Sequence, residues 1–162
     1  MLAFARRSKQ QVELIPLRRS MSEDLIGLVE DNEDDVFFMR RALKGAGIAA
    51  RVHVMTDGQS ASDYLTGAGA YADRGRYPMP RLVFLDLKLP YCTGFEVLEA
   101  MRKQGTLSQT QVIILTSSPE ERDRSRAREL GACAYLVKPP TPAMLKEVLA
   151  TIGHPVMPPA VI

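Results

Sequence analysis

The sequence predicts a doubly wound α/β fold: a five-stranded parallel sheet with five helices on its two faces. Two observations carry that expectation. Five short apolar runs alternate with five longer amphipathic stretches between residues 25 and 153, and a helix in every connection makes the strands run parallel. Right-handed crossovers then wind the sheet in both directions. A third observation points to a site, because four of the five runs end on a polar or charged side chain.

"LIGLV", residues 25–29, reads as the first buried strand. "NEDDVFFMRRALKGAG" follows as a helix with acids in its first turn and Arg40, Arg41 and Lys44 toward its end, the order that suits the helix dipole. Val36, Met39 and Leu43 give it an apolar stripe. "ARVHVMTDG" alternates like a strand, and "GQSASDYLTG" reads as a short helix. "AGAYADRGRYPMP" is a loop, long enough for a compact domain to mark it as a candidate for function. "RLVFLDL" is the most apolar strand, and "TGFEVLEAMRKQG" is a helix offering Phe95, Val97, Leu98 and Met101 to the core. "QVIILTSS" is a β-branched strand, and "PEERDRSRARELG" is a polar helix expected to begin at Pro119 and end at Gly131. "ACAYLVKPP" is the fifth strand. "TPAMLKEVLATIG" is the last helix, with Thr141 as N-cap and Pro142 in its first turn.

The expected organisation is a basic extension over residues 1–22, one folded domain over 23–152, and a proline-rich tail over 153–162. The leading twenty residues carry Arg6, Arg7, Lys9, Arg18 and Arg19 against Glu13, so the remainder is slightly acidic although the whole chain is +2. A solvated extension is the expectation there, with Met21 as a second candidate start and no signal-peptide core. No run reaches the roughly 18 apolar residues of a membrane span. Cys92 and Cys133 have neither metal-ligand spacing nor a disulfide framework, which suits a reducing cytoplasm.

In open parallel sheets, ligands sit outside the carboxyl ends of the strands, where the winding reverses. The first strand delivers Glu30 and Asp31 there, the third Asp86, the fourth Thr116 and Ser117, and the fifth Lys138. In the flavodoxin-like order 2-1-3-4-5, strands 1 and 3 are neighbours, so three carboxylates converge. Taken singly, each residue has a plain structural reading. Asp31 and Asn32 resemble a helix start, Asp86 a turn acid before Pro90, Thr116 a strand-end hydroxyl, Lys138 a solvated charge and Tyr135 a core aromatic. Jointly they suggest a pocket whose crowded acids need a cation, and oxygen-only donors favour Mg²⁺ over zinc.

In that order, one per strand, the motifs "LVEDN", "LVFLDLKLP" with "TGFEVL", "ILTSS" and "AYLVKP" resemble the receiver domain of two-component response regulators. Within that family, "VEDNEDDVFFMRRAL", "LTGAGAYADRGRYPMP" and "LDLKLPYCTGFEVL" are most similar to small single-domain regulators partnered with phytochrome-type histidine kinases. The resemblance implies that Asp86 is the phosphoacceptor. Asp31, Asp86 and the Lys88 backbone carbonyl would hold Mg²⁺, with Glu30 acting through water. Lys138 would pair with the phosphoryl group, and the Lys138–Pro139 bond is expected to be cis. Thr116 and Tyr135 would form the switch. Lys88 departs from the family, being longer than the residues usual at that position.

The resemblance also implies a sensor histidine kinase as partner, of bacteriophytochrome type on the narrower likeness. Output would pass through protein contact on the fourth helix, fifth strand and fifth helix, and a homodimer is expected. About ten residues follow the last helix, so a DNA-binding output domain is not expected. Phe37 and Phe38 are adjacent on the first helix and cannot both be buried equally, leaving one free to meet the kinase. Three other classes fit these residues less well. A haloacid-dehalogenase-type phosphatase expects a second acid where Lys88 stands. A flavodoxin-like cofactor binder needs a phosphate-cradling loop where "EDNEDD" would repel one. A non-signalling scaffold predicts loss of the acceptor, acid, threonine or lysine, and none is lost.

Overall fold

The computed structural model describes residues 24–153; the expectations for residues 1–22, for Met21 as a start and for the tail from residue 154 lie outside them. The elements run β1 (Leu25–Val29), α1 (Glu33–Gly45), β2 (Arg51–Met55), α2 (Gly58–Thr66), β3 (Leu82–Leu85), α3 (Gly94–Gln104), β4 (Gln111–Thr116), α4 (Glu121–Glu129), β5 (Ala134–Val137) and α5 (Pro142–Thr151). All four strand pairings are parallel, in the order β2-β1-β3-β4-β5. The predicted topology is the observed one. Among the described residues, no helix is long and apolar enough to cross a membrane.

The central strands are apolar on both faces because helices cover both, as parallel sheets require. Successive side chains alternate between two cores. Ile26, Leu28, Leu82, Phe84, Ile113 and Leu115 point to one side, against Met39 and Leu43 of α1 and Leu145 and Leu149 of α5. Val29, Val83, Leu85, Val112 and Ile114 point to the other, against Leu65 of α2 and Val97, Leu98 and Met101 of α3. Strand β5 is an edge strand and only half-buried along its length.

Helix starts follow the capping chemistry. Asn32 accepts the Asp35 N–H, Thr93 and Glu96 form a reciprocal capping box, and Thr141 accepts the Met144 N–H ahead of Pro142. Helix α4 departs from expectation. It begins at Glu121 rather than Pro119, with no side-chain cap, because Ser118 holds the preceding residues in a turn. The Ser118 hydroxyl donates to Asp123 at 2.7 Å and accepts the Glu120 N–H at 3.3 Å. Only Ala127 of α4 is buried, in keeping with its polar sequence.

The long loop is packed by its own side chains. It contains a 3-10 turn, Gly69–Ala72. The Tyr64 hydroxyl donates to the Pro78 carbonyl at 2.8 Å, and Arg74 donates back to the Tyr64 carbonyl at 2.8 Å. Tyr71 and Tyr77 meet edge-to-face, 4.9 Å between ring centres. Joining α2 to the start of β3, it lies at the amino edge of the sheet, away from the carboxyl edge where the acids gather. Phe37 and Phe38, which adjacency keeps from being buried equally, are both exposed.

Two glycines clamp the turn after β3. A Cβ on Gly94 would stand 2.1 Å from the Asp86 carbonyl oxygen, and one on Gly58 would stand 1.7 Å from that of Cys92. The Gly94 N–H donates to the Leu87 carbonyl, and the Gly58 N–H to that of Pro90. Helices α2 and α3 therefore dock directly on the backbone that carries Asp86. Gly94→Ala is expected to cost at least about 2 kcal/mol of folding stability, read by urea denaturation; a loss below about 0.5 kcal/mol, the range of ordinary surface changes, would contradict this close approach.

Candidate phosphoryl-acceptor site at the carboxyl edge of the sheet

Glu30, Asp86 and Lys138 reach this edge as the residues that follow the ends of β1, β3 and β5. The ladder pairs Val29 with Leu85 across β1 and β3, so the next residues, Glu30 and Asp86, emerge side by side. The Asp86 N–H donates to the Val29 carbonyl at 3.1 Å, and the Glu30 N–H to the Met55 carbonyl at 3.0 Å. On the other flank the Lys138 N–H donates to the Thr116 carbonyl at 2.8 Å. The Lys138–Pro139 bond is cis, as expected.

Glu30, Asp31 and Asp86 each offer one carboxylate oxygen, all within 4.8 Å of one another. Glu30 and Asp86 are buried, whereas Asp31 is exposed at the mouth. The Lys138 ammonium bridges the set. It bonds Glu30 Oε2, stands 2.8 Å from Asp86 Oδ2, and stands 2.9 Å from Asp35 Oδ2. The second Asp86 oxygen, Oδ1, accepts the Lys88 N–H at 3.2 Å. Lys88 itself is exposed, its carbonyl in the same turn as Asp86.

Asp35 was not foreseen as a site residue. A signal for it exists in the sequence. Asp35 lies four residues after Asp31, so one helical turn carries it back toward the same edge. Three acids in one turn made it look like ordinary dipole compensation.

The electrostatics are lopsided. Burial raises the Glu30 pKa, opposed by hydrogen bonds from Lys138 and the Asn32 N–H. Burial also acts to lower the Lys138 pKa, but the bonds to Asp86, Glu30 and Asp35 outweigh it and hold the ammonium well above its ordinary value. Three carboxylates thus share one ammonium, and a fourth, Asp31, lies beside two of them. At an effective dielectric near 20, unit charges about 4 Å apart interact by roughly 4 kcal/mol, so unshared negative charge here is costly. The donor set fits a hard divalent cation: oxygen ligands only, converging from two strands, with negative charge left over.

Thr116 is wholly buried, and its hydroxyl accepts the Ser118 N–H at 3.4 Å. The Tyr135 hydroxyl donates to the Ser118 carbonyl at 2.8 Å, with the Arg124 guanidinium 4.6 Å above the ring. Thr116 and Tyr135 therefore both bond the backbone of Ser118, one at its N–H and the other at its carbonyl. Cys92 lies in the turn after Asp86 as a free thiol, and burial pushes its pKa up, away from reactivity.

Residues 26–150 match the model of the response regulator receiver domain. The chain belongs to that family. Over 115 residues this receiver is 36% identical to the probable methanogenesis regulatory protein FilR2 of Methanothrix harundinacea, covering 71% of this chain and 72% of that protein. Over 114 residues it is 34% identical to the response regulator Rcp1 of Synechocystis, covering 70% of this chain and 76% of that one. Its structure is similar to that of the bacteriophytochrome response regulator AtBRR, with a TM-score of 0.71, 37% identity, and coverage of 86% and 97% of the two chains. It is also similar to the Mn²⁺-bound form of Rcp1, at a TM-score of 0.68 and 30% identity, covering 85% and 99%. The receiver's relatives thus include regulators of the phytochrome-associated kind, as the sequence motifs suggested.

Replacing Lys138 by Met leaves buried Glu30 and Asp86 without their counter-charge. Breaking a buried pair from one side is strongly destabilising, so the metal-free Lys138→Met receiver is expected to lose about 3 kcal/mol at neutral pH. Denaturation in a chelating buffer checks this; an unchanged or raised midpoint would mean that Lys138 does not hold the acids in place.

Proposed function

We propose that this receiver accepts a phosphoryl group on Asp86 from the phosphohistidine of a sensor kinase and signals in the cytoplasm by a changed protein-contact surface. The observation that supports it most is the seating of Asp86. One of its oxygens faces Lys138 and the other the Lys88 N–H, and a Glu30–Asp31 pair able to hold a divalent ion lies beside it. A carboxylate oxygen of Asp86 forms the bond to phosphorus as the phosphorus–nitrogen bond breaks. The departing histidine nitrogen keeps that electron pair. Such transfer depends on alignment and charge neutralisation more than on covalent help. Asp31, Asp86 and the Lys88 carbonyl, with Glu30 through water, are the groups assigned to hold Mg²⁺, whose role when bound is to offset the charge of the phosphoryl oxygens. Lys138 is assigned to follow the phosphoryl group, taking one of those oxygens in place of Asp86 Oδ2.

The switch follows from the two bonds to Ser118. In the unphosphorylated protein the Thr116 hydroxyl oxygen accepts the Ser118 N–H, and the Tyr135 hydroxyl donates to the Ser118 carbonyl. A phosphoryl oxygen is a stronger acceptor for the Thr116 hydroxyl than anything it now meets. Once Thr116 turns to it, the Ser118 N–H is released and Tyr135 can follow inward, moving the segment that leads into α4. Inverting a two-state population from 1:99 to 99:1 takes about 5.5 kcal/mol. A few charge-assisted hydrogen bonds at roughly 1.5–3 kcal/mol each suffice.

The similarity to AtBRR supports a kinase of bacteriophytochrome type as donor. Helix α4, strand β5 and helix α5 are the surface assigned to output, consistent with an α4 that buries a single side chain, and a homodimer is expected. Residues 23–152 are the assigned receiver, with 1–22 and 153–162 as appendages.

Incubation with Mg²⁺ and acetyl phosphate, followed by intact mass, tests the acceptor. One phosphoryl adduct is expected, absent in Asp86→Asn and absent with excess chelator. No adduct in the wild type, or one that survives Asp86→Asn, overturns the assignment. Continuous release of phosphate from organic phosphates would favour a phosphatase instead.

A further inference from the structure

Asp35 is the acid at this site to which the proposed chemistry assigns no role. It stands third in α1, where an acid commonly turns back to accept the N–H of the capping residue. Its Oδ2 lies instead 2.9 Å from Lys138 Nζ, reaching from α1 to the end of β5. Its own N–H is capped by the Asn32 side chain at 3.1 Å, which fixes where its side chain starts.

A lysine ammonium has three N–H donors, and here three carboxylates take them: Glu30, Asp86 and Asp35. The three are not equivalent. Glu30 and Asp86 belong to the convergent oxygen cluster, while Asp35 does not. The side chains of Glu30 and Asp86 are 2% and 8% exposed, that of Asp35 35%. When a divalent ion or a phosphoryl group engages the cluster, the Glu30 and Asp86 oxygens are drawn into other bonds. Asp35 alone is left free to keep its bond to Lys138.

We propose that Asp35 is a positioning residue for phosphoryl transfer, holding the Lys138 ammonium in line with Asp86 while the other two carboxylates change partners. The proposal rests on the reading of Asp86 as acceptor. Lysine is a point charge on a flexible four-carbon stem, and the step from Asp86 Oδ2 to a phosphoryl oxygen requires it to move a short way without swinging into solvent. A fixed third anchor on α1 limits that swing. It also ties the orientation of Lys138 to the position of α1, so a contact that shifts α1 is felt at the reacting oxygen. A purely structural ion pair predicts something else. At this exposure it contributes little to stability, and its removal leaves the reaction untouched.

The test uses the full chain with Asp35→Ala and Asp35→Asn and two readouts. The first is the initial rate of adduct formation from acetyl phosphate at saturating Mg²⁺. The second, independent of phosphorylation, is trace acetylation of each lysine in the unmodified, metal-free protein, read by peptide mass. Asp35→Ala is expected to slow adduct formation about tenfold, since small misplacements carry rate losses of this order or more. It should raise labelling of Lys138 severalfold while exposed Lys44, Lys103 and Lys146 stay unchanged. Asp35→Asn keeps an acceptor oxygen and should recover part of both. Lys138 labelling that stays level, or that rises together with the other lysines, overturns the proposal, as does an unchanged rate beside a loosened Lys138. If the wild type takes up no phosphoryl group, the acceptor reading falls, and the labelling still decides whether Asp35 holds Lys138.

Discussion

The carboxyl edge of this sheet is governed by one imbalance of charge. A single ammonium, on Lys138, is shared among Glu30, Asp86 and Asp35, with Asp31 at the mouth. Burying a carboxylate is expensive unless it is paired and hydrogen-bonded, and here the pairing is shared too widely to be complete. The surrounding structure holds the acids together against that repulsion. The β1–β3 ladder sets Glu30 beside Asp86, two glycines let α2 and α3 clamp the turn, and the Lys138 backbone is tied to Thr116. Packing supplies the restraint, and the site retains an appetite for positive charge.

The same imbalance links the site to the surface. Lys138, whose backbone N–H is held by the Thr116 carbonyl, leads from the acids to the end of β4. Thr116 and Tyr135 both bond Ser118, whose own hydroxyl bonds Asp123 in α4. A change at a wholly buried threonine therefore has a short covalent and hydrogen-bonded route to a helix that is otherwise lightly packed. Among helices α1 to α5, α4 buries the fewest side chains, a single alanine, and local stability follows burial.

Much of this was legible in the sequence. Apolar runs alternating with amphipathic ones pointed to a parallel, doubly wound sheet, and the order 2-1-3-4-5 came from the flavodoxin-like pattern. The site was legible jointly: no one of Glu30, Asp86, Thr116 and Lys138 is diagnostic, but four strand ends delivering to one edge are. The rest depended on contacts between segments distant in sequence. Asp35 was hidden because its partner is 103 residues away and a first-turn acid already had an explanation. The start of α4 was misplaced because Ser118, rather than Pro119, organises that turn through its side chain. The loop before β3 drew attention by length, yet its tyrosines and Arg74 pack it on α2, and no local periodicity signals such a cluster. Phe37 and Phe38 could be read as unable to share the core equally, and the register of α1 turns both outward.

Negative charge at this edge is a liability for the metal-free protein and an asset once a divalent cation is present. Thermal unfolding of the wild type and Asp31→Asn, each in chelator and in saturating Mg²⁺, measures it directly. Ordering by charge predicts a crossover. Asp31→Asn should melt higher than the wild type in chelator, where it relieves repulsion, and lower in Mg²⁺, where it forfeits a ligand and hence binding-linked stability. The same ranking of the two proteins in both buffers would contradict the account.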